Sequence, residues 1–107
     1  MKGWSEIGPL EMVVLSAVTI EGSAYCLPIQ RRVQELLGHN VSESAIALTL
    51  ARLQRKGYVR SAFSDPTRKR GGRAKRMFAI LPPGQAALRR SLFIAGTACN
   101  AIMASGK

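Results

Sequence analysis

The sequence predicts a mainly α-helical domain with one small β-hairpin, and three observations carry this prediction. Four segments place apolar residues three and four positions apart, the spacing of a helix with one buried face: residues 8–20, 24–37, 42–56 and 83–104. Two short β-favouring segments, residues 58–63 and 77–81, flank Gly71-Gly72 as the strands of a hairpin would. The length of 107 residues is that of a single domain.

Proline and glycine residues mark the ends of the first two predicted helices. Pro9 suits the first turn of the first helix, where a backbone N–H is not needed, and Gly22 lies where that helix ends. Pro28 is compatible only with the first turn of the second helix, and Gly38 stops that helix. The second helix carries one apolar stripe that we expect to be buried: Tyr25, Ile29, Val33 and Leu36.

The third helix has a good N-cap residue in Ser42 and an acid, Glu43, in its first turn. We expect Ile46, Leu50 and Leu53 to face inward. The opposite face combines small side chains with two arginines: Ser44, Ala47, Leu48, Ala51, Arg52 and Arg55. Such a face suits a DNA major groove, which is about 12 Å wide, and its residues other than Ala51 are candidate DNA contacts together with Ser42. The alternative interpretation is an ordinary exposed helix face.

The positive charge of the chain is concentrated in one region. Residues 52–76 contain ten Lys or Arg residues and one acid, whereas residues 1–51 contain three basic residues and five acids. The net charge of the chain is +10. A surplus this local predicts a surface that binds a polyanion, and nucleic acid is the polyanion that fits best. A solvated face or a mobile basic loop is the alternative.

Most of this charge lies in the loop and the return strand of the predicted hairpin. Gly71-Gly72 permit a tight tip. Six cations around the tip are candidate phosphate contacts: Arg68, Lys69, Arg70, Arg73, Lys75 and Arg76. Arg73 is also a candidate for a narrow minor groove, whose negative potential favours arginine.

The last helix follows Pro82-Pro83 and is apolar on nearly all sides. One stripe is predicted to mediate dimerisation: Leu88, Leu92, Ala95, Cys99, Ile102 and Met103. Phe93 and Ile94 widen the stripe. Because a chain of this size cannot cover such a helix alone, we expect a partner chain, and a second copy of the same protein is the preferred one.

Several function classes are disfavoured by what the sequence contains. Cys26 and Cys99 lie in apolar helical patterns and form no CxxC or Cys/His cluster, so we expect no metal or other cofactor. The sequence has no phosphate-cradling loop and no nucleophile with a recognisable activating base, and we therefore do not expect an enzyme. The apolar runs 12–20 and 92–104 are shorter than the ~20 residues of a membrane span, which predicts a soluble, cytoplasmic protein.

These elements in this order describe a winged helix-turn-helix followed by a terminal helix, and the residues resemble the PadR-type bacterial transcriptional regulators. The resemblance is carried by four segments: IGPLEMVVLSAV, SAYCLPIQRRVQELLG, VSESAIALTLARLQRKGYVRS and GGRAKRMFAILPPGQAAL. The chain is similar to the small members of the family, which have a single C-terminal helix. Ala47 stands where the family often has a tyrosine, and Leu81 stands where it often has a threonine that can cap the last helix.

The resemblance implies a repressor that binds double-stranded operator DNA as a homodimer, and members of the family often release the DNA when a small molecule binds. We divide the chain into a winged-helix DNA-binding domain, residues 1–82, and a C-terminal dimerisation helix, residues 83–107. A small apolar or aromatic effector is a further hypothesis, with a site between the first and last helices near adaptable apolar residues: Met12, Phe93, Ile94 and Met103. Trp4 lies just before the first helix and either lines this space or packs against it.

Two other functions are compatible with the sequence. High basic charge alone gives salt-sensitive binding without sequence preference, as in an architectural or RNA-associated protein. A winged helix can also bind another protein. The small side chains of the third helix favour sequence-specific DNA binding over both.

Overall fold

The computed structural model describes residues 7–63 and 75–105, which form four helices and a three-stranded sheet. The elements follow in the order α1 (Pro9–Glu21), β1 (Ser23–Ala24), α2 (Cys26–Leu37), α3 (Glu43–Arg55), β2 (Val59–Phe63), β3 (Arg76–Ile80) and α4 (Pro82–Ala104). The four predicted helices and both strands of the predicted hairpin are therefore confirmed, with boundaries that differ by one or two residues.

The ends of the helices follow the predicted capping residues. Pro9 is the first residue of α1. Gly38 adopts a left-handed conformation, with φ of 79°, directly after α2, and its N–H bonds to the carbonyl oxygen of Gln34. The Ser42 hydroxyl accepts a hydrogen bond of 3.1 Å from the N–H of Ala45, which fixes the start of α3.

The sheet contains one strand that the sequence did not reveal. Its order is β1-β3-β2, with both pairs antiparallel, so that the return strand of the hairpin is central. Ser23 and Ala24 pair with Ala79 and Phe78. Ala24 was predicted to begin the second helix, which starts instead at Cys26. Two residues are too few to show an alternating pattern, so this pairing is set by the partner strand and not by local sequence.

The core lies between the first three helices, the sheet and the start of α4. The side chains of Ile46, Leu50 and Leu53 are buried as predicted. Further large buried side chains come from α1, α2 and the sheet: Val14, Leu15, Val18, Ile29, Val33, Val59 and Phe78. The predicted burial of Leu36 is wrong, because its side chain is 50% exposed. Leu37 packs against the core instead, since it follows Ile29 and Val33 at the next four-residue step.

The first turns of α4 pack closely onto the domain. Gly84, Ala87 and Leu88 are buried. The backbone of α4 approaches the hairpin so closely at Gly84 that an added Cβ would lie 2.2 Å from the carbonyl oxygen of Tyr58. The same carbonyl accepts a hydrogen bond of 2.9 Å from the N–H of Leu81. This contact sets the direction in which α4 leaves the domain.

None of the helices within residues 7–63 and 75–105 combines the length and the hydrophobicity that crossing a bilayer requires.

Candidate nucleic-acid interface

The outward face of α3 is exposed as the sequence predicted. All six of its residues lie open to solvent, and the side chain of Leu48 is 62% exposed. Ser44, Leu48, Ala51 and Arg55 recur at intervals of four, three and four residues, so they form one stripe along the middle of this face. Ala47 and Arg52 lie on either side of the stripe. The face therefore presents small and apolar groups at its centre and cationic groups toward its C-terminal end.

Arg52 and Ser42 each interact with other groups of the domain. Arg52 is close enough to Glu11 of α1 for its charge to lower the pKa of that carboxyl, which places Arg52 on the α1 side of the helix. The Ser42 hydroxyl is already the cap of α3, although a hydroxyl that accepts one hydrogen bond can still donate its own proton.

Lys75, directly before β3, and Arg76, the first residue of β3, both contact aromatic side chains. The ammonium of Lys75 lies 4.1 Å from the centroid of the Tyr25 ring, a cation–π contact with the residue that precedes α2. The guanidinium of Arg76 lies 5.8 Å and 6.0 Å from the ring centroids of Phe63 and Phe78. The other four predicted hairpin contacts lie outside the described residues: Arg68, Lys69, Arg70 and Arg73.

A chain of hydrogen bonds links the hairpin to α3. The Nε–H of Arg76 donates to the Ser61 hydroxyl at 3.2 Å, and this hydroxyl donates to the side-chain oxygen of Gln54 at 3.1 Å. Ser61 and Gln54 were not among the predicted site residues. The only sequence signal for Ser61 is strand alternation, which places it on the same side of β2 as the buried Val59. The chain of hydrogen bonds fixes the position of a cation of the hairpin relative to the outward face of α3.

An ion pair between a buried carboxylate and a partly exposed ammonium anchors the other side of α3. Lys56, which follows the helix, places its ammonium 2.9 Å from a carboxylate oxygen of Glu11, whose residue is 6% exposed. The same oxygen accepts a hydrogen bond of 2.9 Å from the N–H of Gly8. Burial acts to raise the pKa of Glu11, but the hydrogen bonds from Lys56 and Gly8 and the positive charges of Lys56 and Arg52 together hold the pKa below its ordinary value. Lys56 therefore serves the packing of α1 against α3, although its sequence position lies within the cationic region.

A cavity of about 430 Å³ opens between the start of α2, α3 and β3. Its lining combines buried apolar side chains with exposed charged ones: Tyr25, Cys26, Glu43, Ala47, Leu50, Ala51, Gln54, Lys75, Arg76 and Phe78. Ala47 stands where the PadR-type family often has a tyrosine, and it is one of the smallest side chains that line this cavity. Burial, and then the charge of Glu43, raise the pKa of the Cys26 thiol, so little reactive thiolate forms at neutral pH.

The six residues predicted to mediate dimerisation divide into two groups. Leu88 is 7% exposed and belongs to the core of its own chain. The other five are exposed along the distal part of α4: Leu92, Ala95, Cys99, Ile102 and Met103. Phe93 is also 74% exposed, so the unpaired apolar surface continues around the helix.

No family model and no curated protein sequence matches the chain. Solved structures do match. A transcriptional regulator from Clostridium thermocellum is 20% identical, covers 92% of this chain and 90% of its own, and has a TM-score of 0.73. A PadR family transcription regulator from hypervirulent Clostridium difficile is 18% identical over 90% of this chain and 99% of its own, with a TM-score of 0.69. BpsR of Bordetella bronchiseptica, whose DNA binding is regulated by 6-hydroxynicotinic acid, is 14% identical over 94% of this chain and 67% of its own, with a TM-score of 0.70.

These likenesses show that the chain has the fold of PadR-family regulators. They confirm the predicted fold class, a mainly helical domain with a small antiparallel sheet in the arrangement of a winged helix.

Proposed function

We propose that this chain is a PadR-type transcriptional regulator that binds specific DNA sites as a homodimer and acts as a repressor. One observation carries the proposal: the exposed face of α3, with small and apolar side chains at its centre and arginines toward its end, lies beside a cationic hairpin that hydrogen bonds link to the same helix. The shared fold supports the proposal, since similar structures are those of transcriptional regulators.

In this proposal α3 enters the major groove and the hairpin lies against the phosphate backbone. Ala47 and Ala51 let the helix backbone approach the base edges closely, whereas Arg55 extends from the same stripe. Lys75 and Arg76, with the hairpin cations outside the described residues, supply the contacts to phosphate. Phosphate contacts position a protein on DNA without selecting sequence, whereas base contacts select it.

Dimerisation through α4 would place two such surfaces on one DNA site. The motive is the exposed apolar surface from Leu92 to Met103, which one chain leaves uncovered. Two-fold symmetric dimers read half-sites about one helical turn of DNA apart, so we expect a site with inverted symmetry.

Release by an apolar or aromatic small molecule is part of the proposal and is motivated by BpsR, whose DNA binding responds to 6-hydroxynicotinic acid. Of the four residues suggested for such a site, Met12 packs against the core, and three are exposed on α4: Phe93, Ile94 and Met103. A shallow cleft of about 320 Å³ lies between α1 and α4. A ligand can release DNA only if it binds the DNA-free conformation more tightly, so its affinity must be measured with and without DNA.

The decisive experiment is a selection from a pool of random DNA duplexes at ~150 mM salt. A specific regulator enriches one sequence and typically prefers it to unrelated DNA by about 10³-fold or more. The competing function, sequence-blind binding by a basic protein, gives no enriched sequence and equal affinity for every duplex.

The roles of the two elements are tested by variants on the enriched duplex and on unrelated DNA. Replacing Arg70 and Arg73 with Ala should weaken binding to both DNAs equally. It should also reduce the slope of log affinity against log salt by roughly one unit for each phosphate that the protein no longer contacts. Replacing Ser44 or Arg52 should weaken binding to the enriched duplex more than binding to unrelated DNA, because a good base contact contributes about 1–3 kcal/mol of discrimination between bases. Equal weakening of both by Arg52→Ala would make Arg52 a phosphate contact.

A further inference from the structure

The centre of the outward face of α3 contains a large apolar side chain that the core does not use. Leu48 is 62% exposed, whereas the inward face is completed by Ile46, Leu50 and Leu53, which are at most 1% exposed. Leu48 is flanked by Ala47 and Ala51, which are exposed as well. The polar groups of the face lie toward its two ends, with Ser44 before Leu48 and the arginines after it. The middle of the proposed reading surface therefore offers no side-chain hydrogen-bond donor or acceptor.

Only one apolar group is available to such a surface in the major groove. The base edges present hydrogen-bond donors and acceptors there, and the C5 methyl group of thymine is the apolar group among them. Leucine set against donors and acceptors would remove them from water without giving them a partner, which is unfavourable. Leucine set against a thymine methyl removes apolar area from water on both sides, which is favourable.

The surroundings of Leu48 favour DNA over a second copy of the chain as the occupant of this surface. Arg52 and Arg55 lie on the same face, and Lys75 and Arg76 are exposed residues that line the adjoining cavity. Each copy has a net charge of +10, so two such faces would repel each other, whereas a polyanion would be attracted to either.

We propose that Leu48 is a specificity-determining residue that selects thymine by contact with its C5 methyl group, and that Ala47 and Ala51 allow the helix to approach closely enough for this contact. The proposal rests on the proposed function, and it names the chemical feature that the DNA site must contain: a thymine under the centre of α3 in each half-site.

The test uses the full chain and DNA in which single thymines are replaced by deoxyuridine, which removes the methyl group and keeps base pairing. The probe is the duplex enriched from the random pool, made once with thymine throughout and then with one deoxyuridine at a time. For the unaltered protein we expect the dissociation constant to rise roughly fourfold when deoxyuridine replaces one particular thymine of a half-site, the effect of losing one methyl-sized apolar contact. Other thymines should have little effect.

The Leu48→Ala variant shows whether Leu48 is the partner of that methyl group. This variant should bind the thymine duplex more weakly than the unaltered protein and should no longer distinguish thymine from deoxyuridine at the sensitive position. Alanine is the best helix former, so α3 should remain folded, which circular dichroism can verify. Leu36→Ala is the matched control, since Leu36 is 50% exposed on α2, outside the face that α3 presents. It should keep the full response to deoxyuridine.

The outcomes separate the two proposals. If the pool yields an enriched duplex but no deoxyuridine weakens binding, or if Leu48→Ala keeps the full deoxyuridine response, the assignment of Leu48 is wrong and the regulator function stands. If Leu48→Ala changes the mass of the protein in sedimentation and leaves DNA binding unchanged, Leu48 is a contact between copies and the assignment is again wrong. If the pool yields no enriched duplex, the proposed function fails and the inference fails with it.

Discussion

The two parts of α4, residues 82–90 and residues 91–104, both contribute to its apolar stripe but lie in opposite environments. In residues 82–90 the helix packs on the domain and buries Gly84, Ala87 and Leu88. In residues 91–104 every large apolar side chain is at least about half exposed, from Leu92 at 49% to Phe93 at 74%. The difference shows that an apolar stripe predicts that a helix face is buried, but not whether its own chain or a partner chain buries it. The first three helices and the sheet can cover only the first turns of α4.

The exposed half is unfavourable to leave in water. Covering a large aliphatic or aromatic side chain contributes about 1.5–3 kcal/mol, and several lie on this helix. A second copy would cover them in a two-fold arrangement, which is the basis of the proposed homodimer. Four predictions test the exposed part of α4 and the packed domain from which it extends, from the largest expected effect to the smallest.

Replacing Leu92 and Ile102 with Asp should convert a dimer into a monomer. Both side chains are 49% or more exposed in the single chain, so the change should spare the core while placing unpaired charges in the proposed interface. Sedimentation at micromolar concentration should give half the mass of the unaltered protein, with an unchanged helical spectrum. Gln85→Asp, an exposed position on the packed half, is the control and should stay dimeric. An unaltered protein that already sediments as a monomer would refute the prediction.

Gly84→Ala should destabilise the packed half, and Gly96→Ala should not. A Cβ at Gly84 would lie 2.2 Å from the Tyr58 carbonyl oxygen, so the backbone of α4 or of the hairpin must move, whereas a Cβ at Gly96 meets nothing within 4 Å. We expect Gly84→Ala to lower the free energy of unfolding by about 2 kcal/mol or more. In a domain of this size the melting temperature should fall by roughly 8 °C or more.

Gly96→Ala is the matched control because it makes the same chemical change in the same helix. It should leave the melting temperature unchanged or raise it, since alanine favours the helix by about 0.5–1 kcal/mol over glycine. Equal melting temperatures for the two variants, at one protein concentration, would show that α4 is free to shift at Gly84.

Acid should weaken the packed domain through Glu11. The pKa of Glu11 is held below its ordinary value in the folded state, so its contribution to stability is complete above the ordinary pKa of about 4.3 and is lost as the pH falls through the folded pKa. Glu11→Gln should lower the free energy of unfolding by about 1–2 kcal/mol near pH 6, and the difference should shrink near pH 3. Urea unfolding at the two pH values measures it.

Two comparisons sharpen this prediction. Glu35→Gln, at an exposed carboxylate paired with Arg32, should have a much smaller effect. Residues 91–104 contain no Asp, Glu, His, Lys or Arg, so the exposed half of α4 has no group that this acid titration would change. A difference between Glu11→Gln and the unaltered protein that stays constant from pH 6 to pH 3 would contradict the assignment.

The sequence predicted the elements well and their tertiary connections poorly. Ser42 and Gly38 act through residues within four positions of themselves, so the end of α2 and the start of α3 could be predicted from local sequence. The outward face of α3 could be predicted because helical spacing alone assigns the faces. The pair of Glu11 with Lys56 joins residues 45 positions apart, and no local pattern indicates it.

The same limit applies to the link from Arg76 through Ser61 to Gln54 and to the two-residue strand β1, which depend on how the hairpin folds back. The apolar character of α4 was evident from its sequence, but the burial of Leu88 within its own chain depends on how far the remaining core extends.

The smallest expected effect concerns the start of α4. Leu81 is the N-cap residue, with an extended backbone and no side-chain cap, as expected where a threonine is replaced. Its own N–H is bonded to Tyr58, and Pro82 and Pro83 have no N–H, so the N–H of Gly84 is the first-turn donor that a side chain at position 81 could serve.

Leu81→Thr should therefore be more stable than Leu81→Val by about 0.5–1 kcal/mol. Threonine and valine have nearly the same shape, so both variants remove the same leucine packing, and their difference isolates the hydroxyl group. Urea unfolding midpoints at one protein concentration measure it, and neither variant should change the sedimenting mass, because position 81 lies at the packed end of α4. If Leu81→Val is as stable as Leu81→Thr, the hydroxyl does not reach Gly84, and the two prolines suffice to begin the helix because they remove two of the donors that a cap would otherwise satisfy.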